Sequence, residues 1–371
     1  MIPGACHFLP MRHPALFSTL TLGAFTLPNR VVMAPLTRAR AEENHVPGDL
    51  MAEHYSDRAS GGLIIAEATM AMEGHSAFWH EPGIYSEAQV AGWKKVTDAV
   101  HEKGGRIFLQ IWHGGRACHS LLNDGAQPVA ASPIPITNDE THTPEGKKPY
   151  EVPRELRDDE LSAIIEGFTQ AARNAKAAGF DGIEIHGANG YLLDGFLRDA
   201  SNQRSGPYGG SIENRCRLLL EVLKAVSEIW GSDRVGLRVS PLNSFNSMGD
   251  SDPVALYTHL AQKLNDLNLA YLHVMRGDVL GELEGDLLTP IRSAYQGTLI
   301  SNMGYTAEEA DQDIAAGQID AVAFGVPYLA NPDLPERFAK GAGLNEPNSA
   351  TFYTPGPKGY NDYPLLEESS V

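Results

Sequence analysis

The sequence predicts a single (β/α)8 TIM barrel, on three observations. Eight short apolar, β-branched runs recur along the chain. Helical periodicity fills most of the gaps between them, which is the pattern of a parallel sheet. Hydrogen-bonding residues gather at the far ends of the runs, where barrel enzymes build their mouths. The runs are 29–35, 62–69, 106–112, 182–188, 235–240, 270–275, 298–303 and 320–326. A doubly wound open sheet is the alternative, but no GxGxxG follows the first run.

Taken in order, residues 1–13 are expected to be an N-terminal extension, with Met11 a candidate start, and 14–371 one barrel domain. The opening residues lack the basic region and long apolar core of a signal peptide. "TLTLGAFTLPNR" reads as a hairpin turning near Gly23 that plugs the barrel's bottom. The clearest helices are three. One follows Ser86 as N-cap and stops at Gly104, one lies in 158–180, and one follows Ser211 as N-cap. Residues 115–155, after the third run, are rich in Pro, Gly, Asn, Asp and Thr and have no period. Such a long excursion suits a capping segment over the mouth.

Bulk composition narrows the function. The 371 residues carry 47 acidic against 29 basic side chains, a net charge of −18. That surface repels phosphate backbones and argues against nucleic-acid binding. Cys6, Cys118 and Cys216 are scattered with no CxxC pair, which suits a reducing, cytoplasmic location. No apolar run approaches membrane-spanning length, and a monomer or homodimer is expected.

The strand ends supply Pro35 and Thr37, Ala68, Gln110 and His113, then His186, Asn189 and Tyr191, then Arg238, Arg276, Asn302, Gly304 and Gly325. A strand must end in something polar, yet so many such groups favour a ligand site. The last two turns, "SNMGYTAEEA" and "FGVPYLANPDL", bring small residues to helix starts, a cradle for phosphate in this fold. Singly, each is equally turn chemistry.

These motifs carry a resemblance. "LPNRVVMAPLTR", "GLIIAEAT", "FLQIWHGGR", "GFDGIEIHGANGYLLDGFLRDASNQRSGPYGGSIENR", "GLRVSP", "VAFGVPYLANPDL" and "TFYTPGPKGYNDYP" resemble the Old Yellow Enzyme family of FMN-dependent ene reductases, in its bacterial branch, over nearly the whole chain. The resemblance implies FMN as cofactor and NAD(P)H as hydride-donating cosubstrate in a ping-pong cycle. The implied substrates are small electron-poor alkenes (enones, enals, maleimides) and nitro compounds.

It also implies roles. Backbone at Pro35 and Ala68 and the Thr37 hydroxyl would touch the flavin ring, and Gln110 would meet its pyrimidine edge. Arg238 would lie beside N1 and the C2 carbonyl, where charge accumulates on reduction; its bland reading is a salt bridge to a neighbouring strand. Met303, Gly304, Gly325 and Val326 would offer backbone N–H groups to the phosphate. His186 and Asn189 would hold the substrate carbonyl as charge develops on it, and Tyr191 would protonate the α-carbon. Alone, His186 would read as a core histidine and Tyr191 as a packed aromatic. Phe78, Trp112 and Tyr353 correspond to pocket walls.

Two departures stand out. Family members usually carry Arg where this chain has Val326, which predicts weaker FMN retention. Phe78 lacks the hydroxyl common in relatives. No metal site is expected: His75, His80, His113 and His119 lack ligand spacing and read as solvated loop residues. Asn214 and Arg215 read as structural. A barrel isomerase or aldolase would want a Schiff-base Lys or carboxylate base at a strand end, and none is found. A flavin-binding sensor without turnover remains open.

Overall fold

The computed structural model describes residues 12–137 and 139–366. Eight parallel strands close into a barrel, each hydrogen-bonded to its two neighbours. They are β1 (Val31–Met33), β2 (Leu63–Met70), β3 (Ile107–Trp112), β4 (Gly182–Gly187), β5 (Val235–Val239), β6 (Tyr271–Met275), β7 (Leu299–Asn302) and β8 (Ala321–Phe324). Seven of the eight runs expected from the sequence contain one of them, and β2 passes the end of its run, 62–69, by one residue. Of the expected extension, residues up to 11 lie outside the described residues. Leu16 is already fully buried, with its N–H donating to Asp311.

Eight barrel helices follow the strands: α1 (Asp49–Ser56), α2 (Glu87–Glu102), α3 (Leu161–Ala177), α4 (Ile212–Trp230), α5 (Pro253–Leu264), α6 (Leu288–Ala294), α7 (Ala307–Ala315) and α8 (Leu334–Lys340). Their starts follow side-chain chemistry. Ser86 and Gln89 form a capping box on α2, and Ser211 accepts from Asn214 N on α4. The main core lies between strands and helices; a second core fills the lower barrel. There the hairpin Leu20–Leu22 and Phe25–Leu27 plugs the base, with Phe25 edge-on to Phe108 at 6.1 Å. Burying Phe108 fully contributes roughly 1.5–3 kcal/mol.

The period-free excursion after β3 is ordered by local pairing. Glu140–Thr143 pairs antiparallel with Gly146–Pro149, and Val129–Ala130 pairs with Arg154–Glu155. It delivers Ile136 and Tyr150 to an aromatic cluster with Trp112, Tyr191 and Phe78 at the mouth. The C-terminal segment covers the other side. Arg38 and Arg40 donate to the carbonyls of Gly359 and Thr351, and Tyr360 stacks on His54 at 3.8 Å. Among the described residues no helix is long and apolar enough to cross a membrane.

Candidate active site

A cavity of about 580 Å³ opens at the C-terminal ends of the strands, within the range of small-ligand sites. Every residue given a binding or catalytic role lines it: Pro35, Thr37, Ala68, Phe78, Gln110, Trp112, His186, Asn189, Tyr191, Arg238, Met303, Gly304, Gly325, Val326 and Tyr353; of the other strand-end residues Asn302 lines it too, whereas His113 and Arg276 do not. The folding reason differs from place to place. Ala68 lies where the register between β2 and β3 shifts, between Ala66 and Thr69, a bulge of the kind that re-aims a strand end.

The 186–191 stretch turns sharply through two left-handed residues, Asn189 (φ 57) and Gly190 (φ 75). A side chain at Gly190 would also meet Asn246 and Met248 at 2.7 Å, so the position requires glycine. Gly190 N–H donates to Asp194, and Leu192 N–H reaches the His113 carbonyl. The turn brings Tyr191 back over the strand end, its ring 5.1 Å from His186 and 4.3 Å from Trp112, edge-on to both.

His186 Nδ1 accepts from Ala188 N–H at 3.2 Å, which leaves the ring proton on Nε2. Burial first, then the Arg238 charge, holds its pKa well below 6.5, so the ring is a neutral donor. Asn189 Oδ1 accepts from Asn243 Nδ2 at 2.9 Å, which turns its own NH2 toward the cavity. The Tyr191 hydroxyl is pushed well above 10 by burial, then by Tyr150, Glu81 and Tyr353, while a hydrogen bond with Asn246 pulls it back. It therefore stays protonated at neutral pH.

Arg238 and Gln110 line the same cavity from the strands on either side of His186, and Asn302 lines it from β7. Arg238 is buried and makes no ion pair among the described residues, so the alternative salt bridge does not form. The carboxylate within its field, Glu184, accepts instead from Gln110 Nε2 at 2.7 Å and His273 Nδ1 at 2.9 Å. Arg238 Nε and Asn302 Oδ1 are buried without a hydrogen-bond partner among the described residues, a cost that a polar ligand would relieve. With its Nε2 directed to Glu184, Gln110 has its carbonyl oxygen and one further N–H free of side-chain partners.

At the far end, Met303 (φ 88) and Gly304 (φ 72) are consecutive left-handed residues. Above Gly304 a Cβ would find only Arg276 Nη2, at 3.8 Å. Arg276 itself is held bidentately by Glu309, at 2.6 and 3.1 Å, and by the Met303 carbonyl, so it braces this turn from outside the cavity. Val326 is 39% exposed and begins the short helix Val326–Ala330. It offers no cation.

One expectation is corrected. His113 and His119 are not solvated loop residues: they are 2% and 6% exposed, and their Nδ1 atoms accept from Gly115 and Leu121 N–H. His75 stacks on His113 at 3.7 Å and burial lowers its pKa to about 4. Asn214 and Arg215 are structural as read, donating to Gly209 and Leu197 carbonyls. The sequence reading missed Asn243, Phe245 and Val279 in the lining, and Glu184 and His273 behind it.

A closed barrel whose mouth is lined by a buried arginine without an ion pair and by His186, Asn189 and Tyr191 side by side is that of an oxidoreductase of the barrel flavoprotein class. The chain belongs to the NADH:flavin oxidoreductase / NADH oxidase family, which it matches over residues 15–345. It is 52% identical over 352 residues to a probable flavin mononucleotide-dependent alkene reductase of Leishmania infantum, covering 94% of this chain and 96% of that one. It superposes on the old yellow enzyme of Trypanosoma cruzi with a TM-score of 0.93 at 49% identity, covering 96% and 100% of the two chains. It superposes on morphinone reductase in complex with tetrahydroNAD with a TM-score of 0.91 at 45% identity, covering 96% and 99%. The residues present fit FMN: orphaned Arg238 Nε and Asn302 Oδ1 for the polar ring edge, and open backbone at Gly304 for the phosphate.

Proposed function

We propose that this chain is an FMN-dependent ene reductase that draws reducing equivalents from NAD(P)H and delivers them to small electron-poor alkenes. The observation that carries this is the gathering of His186, Asn189 and Tyr191 in one cavity with Arg238 and Gln110, which stand on the strands either side of His186. FMN, when bound, supplies the two-electron chemistry between the two substrates. Pro35, Thr37, Ala68, Gln110 and Arg238 would hold its ring, and backbone at Met303, Gly304, Gly325 and Val326 its phosphate.

The protein's own part is binding and proton placement. His186 and Asn189 donate to the carbonyl oxygen of an enone and stabilise the negative charge that develops there. Tyr191, protonated and buried, delivers a proton to the α-carbon. Phe78, Trp112 and Tyr353 wall the substrate side; Phe78 lies 6.0 Å from Trp112 and 6.2 Å from Tyr353, stacked on both. We place the protein in the cytoplasm, as one domain over 14–371 working as monomer or homodimer. The buried, unpaired thiols of Cys118 and Cys216 are in keeping with a reducing location.

The test is direct. Protein supplied with FMN should turn yellow, bleach anaerobically with NADH or NADPH, and recover colour on adding cyclohexenone. Protein that takes up no FMN, or that bleaches but never recovers with any activated alkene, contradicts the reading; the second outcome favours a flavin sensor.

A further inference from the structure

Behind the flavin wall lies a buried polar cluster that binding and proton delivery leave unexplained. Glu184 and His273 are both fully buried, one on β4 and the other two strands away on β6. Glu184 Oε1 accepts from Gln110 Nε2 at 2.7 Å, and Oε2 from His273 Nδ1 at 2.9 Å. A dry carboxylate is costly, and two neutral donors do not balance its charge. Arg238 is the cation in its field, on the strand between, yet the two form no ion pair. Each charge therefore reaches the space beyond Gln110 and Arg238, which both line the cavity.

We propose that Glu184 is a positioning residue that sets the reduction potential of FMN, an inference that rests on the FMN reading above. It acts in two ways. By accepting from Gln110 Nε2, it fixes that amide with its carbonyl oxygen toward the cavity, as an acceptor for the N–H of the flavin's pyrimidine edge. Its negative charge also offsets Arg238. FMN gains negative charge on its pyrimidine ring when reduced, so Arg238 alone would hold the electrons tightly. Glu184 opposes that and leaves the cofactor a better donor to the alkene.

Glu184→Gln is a fair test because the cluster can adapt. The new amide still accepts from Gln110, and His273 can change tautomer and donate from Nε2, which has no partner among the described residues. The readout is the equilibrium ratio of reduced to oxidised FMN in the holoprotein, poised anaerobically against a reference dye. The ratio should rise on the order of tenfold in Glu184→Gln, which is about 30 mV for a two-electron couple. Glu184→Asp, whose carboxylate withdraws from Gln110 without losing charge, should rise about two- to threefold. If the glutamine protein does not fold, the aspartate protein decides alone. A ratio unchanged in the variants obtained, or lowered, overturns the proposal, whatever happens to their melting temperatures. Wild-type protein that takes up no FMN would instead refute the functional reading itself, so the two failures are distinct.

Discussion

Asn243 Nδ2 donates to Asn189 Oδ1 across 2.9 Å, and this bond decides what Asn189 can offer a substrate. With its oxygen occupied, Asn189 presents NH2 to the cavity. Asn243 is itself fixed, its Oδ1 accepting from Val279 N–H at 3.2 Å. Asn243→Asp would set an acceptor against Oδ1 and turn the Asn189 amide around. kcat/KM for cyclohexenone is then expected to fall about ten- to a hundredfold, the loss of one oriented donor. Asn189→Ala should fall by a similar factor, and the double variant little further. Additive losses in that cycle would separate the two residues.

The pH profile follows from the same site. Burial and the Arg238 charge depress His186 well below 6.5, and burial lifts Tyr191 well above 10. Neither changes charge between about pH 6 and 9, so kcat/KM for an enone should be flat there. An inflection near 6.5 that vanishes in His186→Asn would show a titrating imidazole instead.

Stability responds to pH in two opposite ways. His54, His113 and His186 have pKa values well below 6.5 in the folded protein. They take up protons on unfolding, so stability is lost as pH falls below about 6.5. Glu81 runs the other way: burial raises its carboxyl from 4.5 to about 8, although Ser76 and the Ala77 N–H pull it down. Its contribution is full below 4.5 and disappears as pH rises toward 8. Glu81→Gln should therefore raise Tm by about 2 °C or more at pH 8, with little change at pH 4.5. Thermal melts at both values check this; equal shifts at both would mean that titration is not the cause.

The Val326 side chain offers a phosphate no charge, and Arg276 is occupied by Glu309. Placing Arg at 326 should tighten FMN about tenfold or more by adding a charge-assisted contact. Fluorescence titration of the apoprotein with FMN, and with riboflavin as the phosphate-free control, measures it. An equal gain for both flavins, or none, would show that position 326 does not face the phosphate.

The barrel was legible because its signal is local. Each run is short, apolar and ended by turn chemistry, so 182–188 contains Gly182–Gly187 and 235–240 contains Val235–Val239. The lining residues were legible because strand ends in this fold converge. Asn243 was not, since its loop takes its shape from distant contacts; Arg116, in the excursion, holds the Asn246 carbonyl at 2.7 Å. Glu184 carried a signal that went unused. It stands two residues before His186 on one strand, so strand alternation puts both on the same inward face. His113 was misplaced because a loop between polar residues looks solvated, whereas here the chain from 186 to 192 folds over it.

The proposed mechanism divides the labour, with His186 and Asn189 holding the carbonyl and Tyr191 supplying the proton. Rapid mixing of FMN-loaded wild type and Tyr191→Phe, anaerobically, first with NADH or NADPH and then with cyclohexenone, separates the two half-reactions. Bleaching by the nicotinamide is expected to change less than about threefold, and recovery with the enone to slow by about a hundredfold or more. Recovery at the wild-type rate in Tyr191→Phe would contradict the claim.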